Sequence, residues 1–145
     1  MNIIICGAGR VGFTIAKLLT EQNHSITVID QSGDDIQKIN DSLDVKAIVG
    51  KATSPSVLER ANTSDADMII AVTRNDEINM IVCQIASSLF DISKKIARIR
   101  SQEFLAFYVM LIFPYLQIWR FLKYFHQIFL FVKLNILFQT TLLPL

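Results

Sequence analysis

Gly7-Ala8-Gly9-Arg10-Val11-Gly12 spells G-x-G-x-x-G. That spacing suits one task, the cradling of a pyrophosphate at the start of a helix. The first glycine permits a tight turn. The second lets the backbone approach the phosphates, and the third lets the helix pack close to the preceding strand. The helix start adds unpaired N–H groups and the positive end of its dipole. Here an apolar run, NIIIC, precedes the motif and an amphipathic stretch follows it. This is the context a dinucleotide fingerprint requires. Arg10 stands at the helix start, where a cation is unfavourable unless an anion is also present. It reads as a phosphate contact or as a solvated side chain.

Asp30 lies 18 residues after Gly12, at the end of the second apolar run. A carboxylate there accepts hydrogen bonds from a ribose hydroxyl and repels a 2′-phosphate. NAD(H) or an adenine nucleotide is therefore favoured over NADP(H). The competing reading makes Asp30 a cap of the next helix, but Asp34 and Asp35 are better placed for that. Gly50-Lys51-Ala52-Thr53 ends a third run and either lines an adenine or leads into a helix capped by Thr53 or Ser54. Thr73 and Arg74 follow a fourth run, where the chain would pass beneath a second ribose and phosphate. Arg98 sits in or at the end of a fifth run. A cation among Ile96, Ala97 and Ile99 is costly unless paired, so it reaches a ligand phosphate or a neighbouring subunit. Cys6 and Cys83 read as core packing. No Cys/His/Asp cluster has metal spacing, and no nucleophile–base–acid set can be placed. Neither a catalytic residue nor a metal ligand is expected.

The elements that must position these residues alternate strictly. Apolar runs at 2–6, 26–29, 45–49, 68–72 and 96–99 read as buried parallel strands. Between them lie helices at about 10–22 with the stripe Val11–Ile15–Leu18–Leu19, along the Ile36–Ile39–Leu43 stripe, after Ser54-Pro55, and along Ile78–Val82–Ile85–Leu89. The fold class is α/β, a Rossmann-like doubly wound parallel sheet with five identifiable strands. In such sheets ligands bind beyond the carboxyl ends of the strands, where the candidate ligand contacts named above lie.

Composition divides the 145 residues near position 103. All five glycines lie in 1–50, and all thirteen acidic residues lie in 1–103. Residues 104–145 hold eight of the ten Phe, all three Tyr and the only Trp, with just Arg120, Lys123 and Lys133 charged. The mean hydropathy of +0.41 thus averages two different compositions. A net charge of +1 excludes a strongly basic nucleic-acid binder. Two cysteines exclude a disulfide scaffold. The sequence divides into a nucleotide-binding domain at 1–103 and a hydrophobic tail at 104–145, expected to be helical.

Six segments, in order, carry a family resemblance: NIIICGAGRVG, the VID ending in Asp30, V-G-x-A-T-S-P-S-V-L, DADMIIAVT, D-E-x-N-M-I-x-C-Q-I-A and KIARIR. Together they resemble the N-terminal RCK (also called KTN) domain of the TrkA family of potassium uptake proteins. The resemblance implies a regulatory subunit and no enzyme. It implies binding of NAD(H) or of ATP/ADP, with contacts at Gly7 to Val11, Asp30, Thr73, Arg74 and Arg98. It also implies assembly of RCK domains into homo-oligomers on the cytoplasmic side of the inner membrane. The expected partner is a Trk-type potassium-translocating membrane subunit. Lys51 departs from the Asp or Asn usual in the family at that position. The alternative function is the cofactor domain of an NAD-dependent dehydrogenase, or a fragment without function. The likeness stops near Glu103, which reads as truncation. For the tail three readings stand: an interfacial helix, a segment packed on the sheet or a partner, or a shifted reading frame. Its Phe/Leu/Ile/Tyr/Lys bias without acids or glycine favours the last.

Overall fold

The computed structural model describes residues 1–104. Met1–Ile99 form one compact unit. Five strands form one sheet: β1 (Asn2–Cys6), β2 (Ser25–Asp30), β3 (Lys46–Val49), β4 (Met68–Ala71) and β5 (Lys94–Ala97). Their order is β3-β2-β1-β4-β5, and every neighbouring pair is parallel. The order reverses between β1 and β4, which opens a crevice beyond their carboxyl ends. The expected doubly wound α/β fold is the observed one. The tail readings concern residues beyond the described ones.

Alternation along β1 builds both halves of the core. Ile3 and Ile5 pack with Ile26, Val28, Ile70 and Val72 beneath α1 (Arg10–Glu21) and α2 (Gly33–Ser42). Ile4 and Cys6 pack with Ile29, Ile48, Ile69 and Ala71 beneath α3 (Pro55–Arg60) and α4 (Asp76–Phe90). Each fully buried Ile contributes roughly 1.5–3 kcal/mol by leaving water. In α1, Gly12 and Ala16 form the buried ridge one turn apart, so small side chains bring this helix close to the sheet.

Three sequence expectations need correction. The fifth strand runs from Lys94 to Ala97, not from 96 to 99; Met68 pairs with Lys94 and Ala71 with Ala97. An edge strand tolerates lysines, and the Lys95 ammonium donates to the Ile92 carbonyl at 2.6 Å. Arg98 therefore lies just past the strand, its N–H bonded to the Ala71 carbonyl at 2.8 Å. The cap of α2 is Ser32, whose hydroxyl accepts from the Asp35 N–H, while Asp34 and Asp35 occupy the first turn. Finally, Leu18 and Leu89 belong to the apolar stripes by spacing but are exposed, and the buried positions of α4 are Asp76, Asn79, Val82 and Ala86.

Candidate functional site

The glycine loop follows β1 directly and is held by backbone geometry. Gly7 has φ +116°, a conformation L side chains rarely adopt. A Cβ there would also stand 2.9 Å from the backbone of Val72 and Thr73. Its N–H donates to the Ile29 carbonyl at 2.8 Å. At Gly12 a Cβ would meet the Gly7 carbonyl oxygen at 1.7 Å. At Gly9 a Cβ would find nothing within 4 Å. Two of the three glycines are thus required by packing within the protein, and the middle one faces open space. Gly9 is the N-cap of α1 and offers no side chain to it, and the first turn carries no acid. The starts of α2 and α4 are instead closed by the Ser32 and Asn75 side chains and carry acids in their first turns. The α1 terminus is left as an electropositive, open donor set. Ala8 is buried, and Arg10 and Val11 are exposed beside the opening.

Asp30 ties this loop to the next one. Its Oδ2 accepts from the Ala8 N–H at 2.7 Å, and its Oδ1 accepts from the Ser32 N–H at 2.9 Å. Each oxygen keeps a further lone pair. The carboxylate thus stands at the glycine loop, half-buried, as the fingerprint requires. The reading of Asp30 as a cap of α2 fails, because Ser32 fills that role. The end of β3 lies alongside, with the Gly50 N–H donating to the Asp30 carbonyl at 2.8 Å. Lys51 is exposed just beyond it. Ser54 holds the N-cap position of α3 without a side-chain capping bond.

Across the crevice, the Thr73 side chain turns inward. Its hydroxyl and its N–H both donate to Asn79 Oδ1, at 2.7 and 2.8 Å. Asn79 Nδ2 donates in turn to the Arg98 carbonyl at 2.8 Å. Arg74 is exposed and Arg98 half-buried. The structure therefore brings Gly7–Gly12, Asp30, Thr73, Arg74 and Arg98 to one edge of the sheet, with Thr73 bonded to the protein itself. Sequence reading missed Asn79 as a site element. Its signal was the spacing Asp76–Asn79–Val82–Ala86, which sets two polar residues on the buried stripe of a helix.

No group of acids, histidines and cysteines able to hold a metal exists among the described residues. A cavity of about 220 Å³ lined by Asn2, Ser25, Thr27, Lys46 and Asp65 lies at the amino ends of the strands, away from the glycine loop. Both cysteines are free thiols. Burial pushes the Cys83 thiol up to about 12, with Lys95 opposing the rise. Burial also raises Cys6, and the neighbouring Cys83 and Asp30 add to it. Groups whose pKa is raised on folding lose their contribution to stability as pH climbs above the unfolded value. Stability is therefore expected to fall between about pH 9 and pH 12, and a disulfide reagent at pH 8 is expected to label the thiols far more slowly than in denaturant. Equal labelling rates with and without denaturant contradict this assignment.

The model of the TrkA-N domain matches residues 3–113. The chain belongs to the TrkA-N domain family. Similar proteins include the Trk system potassium uptake protein TrkA of Azorhizobium caulinodans, 48% identical over 105 residues, which are 72% of this chain and 23% of that protein. The match spans about a quarter of the length of this and similar full-length TrkA proteins, and 39–47% of two shorter TrkA homologs. Among solved structures, the AMP-bound C-terminal domain of Kef from Shewanella denitrificans superposes with a TM-score of 0.66 at 23% identity, covering 77% of this chain and 67% of that one. The GsuK channel bound to NAD superposes with a TM-score of 0.63 at 24% identity, covering 73% and 20%. At such identities the likeness establishes the shared Rossmann-like fold of the TrkA-N domain. Among the described residues no helix is long and apolar enough to cross a membrane.

Proposed function

We propose that residues 1–103 form the nucleotide-binding regulatory domain of a Trk-type potassium uptake system. The ligand is NAD(H) or an adenine nucleotide, held without turnover. The observation that carries this reading is the open start of α1. It has neither a side-chain cap nor a first-turn acid, and Gly9 borders free space. A pyrophosphate seated there meets backbone N–H groups and the positive helix end. Arg10 adds a cation, and the Asp30 carboxylate lies one loop away for a ribose hydroxyl. The second phosphate and ribose fall toward Arg74 and Arg98. Similarity to proteins named for AMP and NAD complexes supports a nucleotide without choosing between them.

The regulatory role rests on the 48% identity to a potassium uptake protein. The partner is then the potassium-translocating membrane subunit. The domain works on the cytoplasmic side of the inner membrane as a homo-oligomer. Calorimetric titration of the 145-residue chain with NADH, AMP and ATP tests the binding. At least one ligand should bind with micromolar affinity, about −8 kcal/mol, and NADPH more weakly than NADH. Failure of all three to bind the folded chain overturns the reading.

A further inference from the structure

Asn79 is fully buried in α4. Its Oδ1 accepts from the N–H and the hydroxyl of Thr73, and its Nδ2 donates to the carbonyls of Arg98 and Thr73 at 2.8 and 3.4 Å. A side-chain amide has two donors and two acceptor sites, and all four are used. Asparagine is a poor residue for a helix interior, and a buried amide is tolerated only when satisfied. In return it locks two loops, those after β4 and β5, into one rigid pair.

We infer that Asn79 is the positioning residue for the half of the site above β4 and β5, and that Thr73 belongs to the same device rather than donating to ligand. This rests on the nucleotide reading above. A dinucleotide places one half on each side of the switch in strand order. The first half is served by the glycine loop and Asp30, whose bonds to Ile29, Ala8 and Ser32 do not involve Asn79. The backbones of Val72 and Thr73 both bear on Gly7; Val72 is fixed by its own bond to the Cys6 carbonyl at 2.8 Å, and the Thr73 N–H keeps its acceptor oxygen in both variants below. The second half has Thr73, Arg74 and Arg98, and Asn79 sets the spacing of the first and last before any ligand arrives. Such preorganisation raises affinity by removing an ordering cost at binding.

The test titrates the full chain and its variants with NADH and with AMP, which lacks the second half. Asn79→Asp keeps the acceptor for Thr73 but sets an oxygen against the Arg98 carbonyl. NADH affinity should fall roughly tenfold, the worth of one well-placed hydrogen bond, while AMP affinity stays within about twofold. Thr73→Val removes only the hydroxyl and should weaken NADH by about threefold, again sparing AMP. Should Asn79→Asp fail to fold, Thr73→Val and hydrogen exchange in the unaltered chain decide. NADH must slow exchange of the Thr73 amide, and AMP must not. Equal losses for both ligands, no loss for either, or unchanged Thr73 exchange overturn the inference. So does a chain that binds AMP but not NADH. A chain that binds neither overturns the nucleotide reading itself.

Discussion

Gly12→Ala should abolish the native fold or destabilise it by at least about 3 kcal/mol, the upper range for overpacking a closed site. The added Cβ would lie 1.7 Å from the Gly7 carbonyl oxygen. That oxygen has nowhere to go. Gly7 is pinned on one side by its bond to Ile29 and on the other by the backbone of Val72 and Thr73. To admit one methyl group, α1 must lift from the sheet, and Ala16 one turn on would lift with it. Gly9→Ala isolates the other half of the argument. Its Cβ meets nothing within 4 Å, so the fold should change by no more than about 1 kcal/mol, the scale of losing a good N-cap residue. Nucleotide affinity should nevertheless fall by about tenfold or more, because the methyl occupies the approach to the pyrophosphate. Urea denaturation of both variants, with NADH titration of Gly9→Ala, separates the two roles. A Gly12→Ala chain as stable as the parent sinks the packing argument. A Gly9→Ala chain with undiminished affinity removes the glycine loop from the site.

Much of this was legible because the relevant physics is local. Runs such as NIIIC and MIIA carry β-branched residues buried on both faces, so strand and core follow from the run itself. The roles of Gly7 and Gly12 follow from the order strand, turn, helix. What escaped the sequence depends on partners far along the chain. Lys94 and Lys95 join β5 only because β4 supplies a ladder for them, and two adjacent lysines give no strand signal of their own. Leu18 and Leu89 have core spacing, yet both are exposed, and Ala16 and Ala86 are among the buried positions of their helices. Asn79 finds its bonding partners at Thr73 and Arg98, 6 and 19 residues away. Periodicity shows that Asn79 is on the buried stripe but not which carbonyls it will meet. The cap of α2 was misplaced for a subtler reason. Ser32, Asp34 and Asp35 are all competent capping residues, and only the path of the chain after Asp30 selects the serine.

Asp30→Ala should cost both stability and binding, because this carboxylate clamps the glycine loop and is the proposed ribose acceptor. It accepts from the Ala8 N–H at 2.7 Å and from the Ser32 N–H at 2.9 Å. Hydrogen bonds to a charged group contribute about 1.5–3 kcal/mol each. Both lie in half-buried surroundings where water can recover part of the loss, so a net destabilisation of about 2–3 kcal/mol is expected. The loop released by the substitution is the glycine loop, whose shape the proposed phosphate site depends on. NADH affinity should therefore fall by roughly a hundredfold or more, combining a lost ribose acceptor with a loosened loop. Asp30→Asn separates charge from shape. It retains one acceptor oxygen and turns an NH₂ group toward one of the two backbone donors, so stability should still drop by about 1–2 kcal/mol. It also removes the negative charge that repels a 2′-phosphate. The preference for NADH over NADPH should accordingly narrow even as NADH binding weakens. Thermal or urea unfolding without nucleotide, followed by parallel titrations with NADH and NADPH, measures each part. Should Asp30→Ala keep its stability and its NADH affinity within about twofold, the carboxylate is neither the clamp on the glycine loop nor the ribose acceptor. Should Asp30→Asn leave the NADH:NADPH preference unchanged, the clamp stands, and the selectivity must come from other charges at the carboxyl edge, with exposed Lys51 beyond β3 the first to examine.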